Sequence, residues 1–259
     1  MAETPPPAEL RRYPDAGRTL EVDPYGRAIR DYHRGEQSEP LYDVDGTERR
    51  EHPIDAFYFE PFDPDGRRSG WLASHLEGPL LDLGAGAGRH ALYFQERFET
   101  VALDASEHLV DVMADRGVDD VRRGSMFALR ERFGRDRFRS ALSIGTQLCL
   151  AGSMDGLGRL LGDLAHVTMP DATAVVDSYD PTTPATAHAF GFRPDPTPGL
   201  AYRVYHYEYE GDVGPELLFR LFGPDRLRAA ATGTGWRVAE VRAHPPDTGV
   251  QYRAVLRKR

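Results

Sequence analysis

Residues Leu80 to His90, Leu-Leu-Asp-Leu-Gly-Ala-Gly-Ala-Gly-Arg-His, carry the strongest chemical signal in the chain. An apolar run that ends in Asp82 and continues into glycines at 84, 86 and 88 reads as a buried strand turning tightly into a helix. In open α/β sheets that turn is where ligands bind. In dinucleotide-binding loops the third glycine falls three residues after the second, where a helix N-terminus closes over a pyrophosphate; here Arg89 holds that position. The carboxylate of Asp82 would repel a diphosphate and attract an ammonium group. The loop therefore asks for a ligand with a cationic end.

A second acid follows at a telling distance. Asp104 closes the apolar run Thr100 to Leu103 and lies 20 residues after Gly84, which suits a carboxylate that accepts from ribose hydroxyls. The alternative for Asp104 is a helix cap without a ligand, although Ser106 followed by Glu107 makes the better cap.

Asp82, Gly84, Gly86 and Gly88 match acid-x-Gly-x-Gly-x-Gly, the first motif of the class I S-adenosylmethionine-dependent methyltransferases, and the chain resembles that family over about residues 70 to 259. The resemblance implies S-adenosyl-L-methionine as cofactor. It implies that Gly84, Ala85, Gly86 and Gly88 admit the methionine part close to Asp82, and that Asp104 with Ala105 takes the ribose. Ser125 and Met126 would take the adenine. Ser125 stands where the family often has an acid, and a hydroxyl without charge makes the weaker hydrogen bond. Gly145 and Thr146, at the end of the fourth strand, would lie beside the reactive methyl group. The acid-Pro-Pro-aromatic tetrapeptide typical of enzymes that methylate bases or glutamine is absent, which points to a small-molecule acceptor.

The elements that must position these residues follow from periodicity. Asp23-Pro24 opens a short helix that ends near Gly35 and places Ala28, Ile29 and Tyr32 on one face. Residues 36 to 55 read as a polar loop. Phe57, Tyr58 and Phe59 then bring three adjacent aromatics, either as packing for the extension or as a lid in which Tyr58 lines the acceptor side. Strands and helices alternate from Leu80 onward, with strands near 80–83, 100–103, 118–122, 140–144 and 173–177 and helices near 91–98 and 109–116. Leu157, Leu160, Leu161 and Leu164 form the stripe of a buried helix, ended by a turn at Pro170-Asp171. Residues 178 to 199 hold five prolines and read as irregular. Tyr205, Tyr207 and Tyr209 then alternate in a strand that turns back at Gly211 into Leu217 to Phe222, a hairpin expected across the ligand side. Tyr205 there is either an acceptor contact or an ordinary strand former. A helix from Pro224 and strands over 236–241 and 250–256 finish the chain, the last two antiparallel because no crossover separates them.

The resulting expectation is an α/β fold: a seven-stranded, mainly parallel Rossmann-like sheet with a reversed last strand, helices on both faces, an N-terminal lid extension and an inserted antiparallel hairpin. Its parts are a flexible tail over 1–22, a lid or extension over 23–70, and a methyltransferase domain over 71–259 carrying a substrate-side insertion at 178–223.

Composition narrows the function classes. The 259 residues carry 41 acidic against 32 basic side chains, net charge -9, which disfavours general affinity for nucleic acid. No cationic start with an apolar core and no long apolar run occurs, so the reading is a cytoplasmic protein that neither enters nor spans a membrane. The sole cysteine, Cys149, sits among apolar residues and reads as a core thiol. No clustered ligands mark a metal, His90 reads as a surface residue of a helix, and no nucleophile-His-acid set emerges from spacing. Two other readings stay open, a non-catalytic binder of the same cofactor and an NAD-dependent oxidoreductase.

Overall fold

The computed structural model describes residues 22–245 and 249–259, so the tail expected over 1–22 lies, except for Val22, outside the described residues. Helix α1 (Pro24–Arg34) starts where Asp23 accepts from the Gly26 N–H at 2.9 Å and ends at Gly35, whose φ of 69° is the left-handed conformation glycine adopts without strain.

The next segment departs from expectation. Residues read as loop contain a hairpin, β1 (Tyr42–Asp45) and β2 (Glu48–Glu51). All four side chains of β2, Glu-Arg-Arg-Glu, are exposed, so no apolar alternation announced it; charges of this kind keep an edge strand from pairing with other chains. A π-helical turn at Asp55–Phe59 and α2 (Arg67–Ala73) lead to the sheet.

The expected alternation then appears as β3 (Leu80–Leu83), α3 (Arg89–Phe94), β4 (Thr100–Asp104), α4 (Glu107–Asp115), β5 (Asp120–Arg123), α5 (Leu129–Arg132), β6 (Phe138–Ser143), α6 (Met154–Val167) and β7 (Thr168–Tyr179). Helix α6 runs into β7 without a break. Pro170-Asp171 is therefore not a separating turn but an irregularity inside the strand, where the register against β6 shifts and Asp171 takes φ 59°. Proline has no N–H to give the ladder, which accounts for the slip. After β7 come β8 (Phe192–Pro194), β9 (Leu200–Tyr209), β10 (Asp212–Val213), β11 (Leu217–Phe222), α7 (Pro224–Ala231), β12 (Trp236–His244) and β13 (Gln251–Lys258).

Seven strands form the main sheet in the order β12-β13-β7-β6-β3-β4-β5. The contacts among β3 to β7 are parallel, and β13 runs antiparallel to both its neighbours. Because alternate side chains face opposite ways, Leu81, Leu83 and Leu103 meet the leucines of α6, while Leu80, Leu142 and Val175 meet Leu72 and Phe94 on the other face. Leu157, Leu160, Leu161 and Leu164 are all buried, as their spacing requires.

A second, six-stranded sheet was not foreseen as a unit. Its spine is β9, which pairs antiparallel with β1, β8, β10 and β11. The N-terminal hairpin and the insertion thus form one layer, with Asp43 opposite Tyr207. Residues 178–199 are likewise less irregular than expected, since they contain β8 and a short helical turn, Pro184–His188.

Cys149 is fully buried, and burial pushes its thiol pKa up to about 11, with Ser178 Oγ at 3.4 Å from the sulfur. The native protein is expected to resist iodoacetamide at mildly alkaline pH and to take up one equivalent once unfolded in urea, because only the thiolate attacks. Mass spectrometry of both states checks this, and rapid labelling of the folded protein would contradict it.

Candidate functional site

A cavity of about 660 Å³ lies between the C-terminal ends of the parallel strands and the second sheet. Its floor is built from the loops after β3, β4, β5 and β6, and its roof from α1, the β1–β2 hairpin, the Asp55–Phe59 turn and β9 with β11. This is the edge at which open α/β sheets bind ligands, because strand ends present loops and helix starts there.

The loop after β3 owes its shape to its glycines. Gly86 has φ 59°, and a side chain there would point past the floor toward Tyr58, whose ring lies 3.4 Å from the Cβ position. Gly84 has φ 67°, and a Cβ there would come within 2.6 Å of the Gln147 side chain. Gly88 turns the other way. Its Cβ position lies 2.8 Å from Val118 Cγ2, and its φ of 79° starts α3, so this glycine serves contact between the loop and the protein interior. Gly88→Ala is expected to lower the unfolding free energy by roughly 1–3 kcal/mol through strain and overlap. Urea denaturation checks it; unchanged stability would remove this account of Gly88.

Three acids stand at strand ends, Asp82 and Asp177 buried and Asp104 half-buried. Asp104 Oδ2 accepts from the Gly86 N–H and Oδ1 from the Ser106 N–H, both at 3.0 Å, which ties the glycine loop to the tip of β4. Ser106 itself caps α4 by accepting from the Leu109 N–H, and donates to Asp23 at 2.5 Å, which pins α1 there. Asp177, at the end of β7, accepts from the N–H groups of Gly145 at 3.0 Å and Thr146 at 2.6 Å and so shapes the loop after β6. Burial raises the pKa of Asp104 and of Asp177 to about 6 in each case, against their backbone hydrogen bonds. Asp82 is 2 % exposed, stands behind the glycine loop, and its Oδ2 has no hydrogen-bond partner. Burial first, and then the negative charge of Asp104, push its pKa up to about 7.

The structure gathers Gly84, Ala85, Gly86, Asp104, Ala105, Ser125, Met126, Gly145, Thr146, Tyr58 and Tyr205 around the one cavity. Asp82 and Gly88 lie outside its wall. The Ser125 hydroxyl oxygen accepts from the Phe127 N–H at 3.2 Å, and the Thr146 hydroxyl donates to the Gly145 carbonyl at 2.7 Å. Tyr58 is held over the loop by Arg116, whose guanidinium donates to the carbonyls of Ala87 at 2.6 Å and Tyr58 at 3.1 Å. Tyr205 is 4 % exposed and stands among Phe219, Phe190 and the guanidinium of Arg203.

His90 corrects the sequence reading. It is half-buried in the cavity wall against the ring of Phe62, not on the surface, and burial, with the charges of Arg89 and Arg253, drives its pKa down to about 3, which keeps it neutral. Asp43, His52, Asp177 and Arg203, which motif spacing does not single out, also line the cavity. Asp177 carried a readable sign, since Ala174-Val175-Val176-Asp177 repeats the apolar-run-then-acid pattern of Asp82 and Asp104. The other three sit on strands of the roof or just beyond them, and no local pattern brings them to the cavity. Among the described residues no cluster of three or more His, Cys, Asp or Glu is placed to hold a metal, and no helix is long and apolar enough to cross a membrane.

The strand order, the reversed β13 and the glycine loop at the tip of β3 together define the fold of the class I S-adenosylmethionine-dependent methyltransferases. An S-adenosylmethionine-dependent methyltransferase from Bacteroides fragilis, solved with S-adenosyl-L-homocysteine, is 25% identical and superposes with a TM-score of 0.73 over 92% of this chain and 96% of its own. The CcbJ methyltransferase of Streptomyces caelestis is 19% identical with a TM-score of 0.56 over 76% of this chain and 90% of its own. An S-adenosylmethionine-dependent methyltransferase from Clostridium acetobutylicum is 11% identical with a TM-score of 0.55 over 69% and 83%. No protein-family model and no curated protein sequence matches the chain.

Proposed function

We propose that the protein is an enzyme that transfers a methyl group from S-adenosyl-L-methionine to a small-molecule acceptor. The observation that carries this reading is the glycine loop tied by the Gly86 N–H to Asp104, open to a roofed cavity and backed by the unpartnered carboxyl oxygen of Asp82. The likeness to the Bacteroides fragilis protein, which holds the demethylated cofactor, supports it.

The residues present fit that cofactor. Gly84 and Gly86 leave backbone bare beside the cavity, and Ala85 between them adds only a methyl group, which lets a methionine chain lie against the loop. Asp82, one layer behind, would favour an ammonium group over a phosphate through its field. Asp104 would accept from ribose hydroxyls, Ala105 would flank it, and Ser125 and Met126 would bound the adenine. Gly145 and Thr146, fixed by Asp177, would stand beside the methyl end. Bound there, the cofactor supplies a methyl group already activated by its sulfonium. The protein aligns the acceptor, and the roof of Tyr58, Tyr205 and Tyr207 excludes water. A cavity of about 660 Å³ partly covered by that roof suits a small molecule better than a polymer.

Titration makes the charge argument measurable. A ligand with an ammonium group binds the ionised form of a carboxyl group best, so affinity for S-adenosyl-L-homocysteine is expected to rise with pH through about 6 to about 7, where Asp104 and Asp82 ionise, and then to level off. Calorimetry across that range checks it, and a flat profile would count against a cation beside Asp82. The function itself is tested by incubating the protein with methyl-labelled S-adenosylmethionine and a fractionated cell extract. Label is expected in the low-molecular-weight fraction; label confined to protein or nucleic acid would overturn the choice of acceptor class.

A further inference from the structure

One wall of the cavity holds a continuous chain of hydrogen-bonded side chains. His52, 9 % exposed, follows β2 and places Nδ1 3.2 Å from Asp43 Oδ1 and Nε2 2.9 Å from the hydroxyl of Tyr58. Tyr58 in turn accepts from the hydroxyl of Tyr25 at 2.8 Å. The four residues come from α1, β1, the end of the hairpin and the Asp55–Phe59 turn, and all line the same cavity as the glycine loop. The backbone fixes two of them: the His52 N–H donates to the Leu41 carbonyl at 2.8 Å, and Asp43 is paired in register with Tyr207.

The donation from Tyr25 to Tyr58 gives the chain a direction. Tyr58 oxygen already accepts from Tyr25, so its own proton goes to His52 Nε2, which leaves the imidazole proton on Nδ1 facing the Asp43 carboxylate. An imidazole that takes a hydroxyl proton at one nitrogen and turns the other toward a carboxylate is the arrangement that receives protons in general base catalysis. The groups facing His52 are Asp43 from β1, Tyr25 from α1, Phe57 and Tyr58 from the turn, and Tyr207 from β9, so Asp43 is the charged group set against the imidazolium that would form.

Resting on the proposed methyl transfer, we infer that Tyr25, Tyr58, His52 and Asp43 form a proton relay that deprotonates the acceptor, and that the acceptor is an aromatic compound methylated on a hydroxyl. A neutral hydroxyl attacks a methyl carbon well only as its proton leaves, so a base in the cavity wall suits a hydroxyl acceptor. The rings of Phe190, Tyr205 and Phe219 beyond the relay suit a flat acceptor. In the step, the acceptor oxygen forms a bond to the methyl carbon as the carbon–sulfur bond breaks, and that electron pair stays on the sulfur. The hydroxyl proton passes to Tyr25 oxygen, the Tyr25 proton to Tyr58, and the Tyr58 proton to His52 Nε2, and the imidazolium later returns a proton to water. Tyr25 is the catalytic residue that meets the acceptor; Asp43 is a positioning residue.

The test uses 4-nitrophenol, whose phenolate absorbs in the visible, added to the full-length protein saturated with S-adenosyl-L-homocysteine. The relay predicts that the bound probe ionises at least about one pH unit lower than free probe, a tenfold shift in its phenol-to-phenolate ratio. His52→Gln, which keeps hydrogen-bonding atoms but takes no proton, is expected to abolish the shift, and Asp43→Asn to reduce it. Affinity for S-adenosyl-L-homocysteine, measured on each variant, shows that the fold and cofactor site survive. Failure of the probe to bind, binding without a shift, or a shift that persists in His52→Gln would overturn the relay. Failure of the unsubstituted protein to bind S-adenosyl-L-homocysteine would instead overturn the underlying methyltransferase reading.

Discussion

Gly86→Val is expected to weaken binding of S-adenosyl-L-homocysteine by at least about 100-fold, close to 3 kcal/mol, the largest effect of any single change considered. The residue has φ 59°, a conformation that a β-branched side chain adopts only under strain, and its Cβ would project between the loop and the ring of Tyr58. Two consequences separate in measurement. Strain in the loop should lower the unfolding free energy by about 1–3 kcal/mol. The added bulk occupies space the ligand needs, so affinity falls much further than stability. Thermal unfolding and calorimetric titration of the same variant distinguish the two. A folded Gly86→Val protein with unchanged affinity would place the ligand away from this loop.

Asp104→Ala should cost about 1.5–3 kcal/mol of affinity, roughly 10- to 150-fold, the range for a hydrogen bond to a charged group. The carboxylate has two tasks. It accepts from the Gly86 and Ser106 N–H groups, and it faces the cavity where ribose hydroxyls would bind. Alanine removes both tasks, whereas Asp104→Asn keeps one acceptor oxygen and loses the charge. The asparagine variant is therefore expected to fall between the parent and the alanine variant. Equal affinities in all three proteins would remove Asp104 from the site.

The sequence disclosed those parts of the molecule whose structure follows from local pattern. Strand β3, the glycine turn and the stripe of α6 could be read because apolar periodicity and glycine spacing are set within a dozen residues. The antiparallel end was legible for the same reason, since too few residues separate β12 and β13 for a crossover. The roof was not. Its β1–β2 hairpin consists largely of charged residues, and its partner β9 lies more than 150 positions away, so only long-range pairing reveals it. His52 and Asp43 escape local reading for that reason: the hairpin around them is mostly charged, and their place in the cavity wall exists only once β9 pairs with β1. His90 differs from expectation because a helix start next to a loop usually faces water, whereas here the ring of Phe62 packs against it. Gly88 shows the limit of motif reading, since it matches a ligand-binding pattern while its missing side chain makes room for Val118.

The cofactor preference of the glycine loop is tested most directly by isothermal titration of the full-length protein with S-adenosyl-L-homocysteine, with NADH titrated in parallel. The predicted result is saturable one-to-one binding of S-adenosyl-L-homocysteine and no binding of NADH, because the carboxylates behind and beside the Gly84–Gly86 loop favour a ligand with a cationic end. No heat from S-adenosyl-L-homocysteine at millimolar concentration, or saturable binding of NADH in its place, would contradict it.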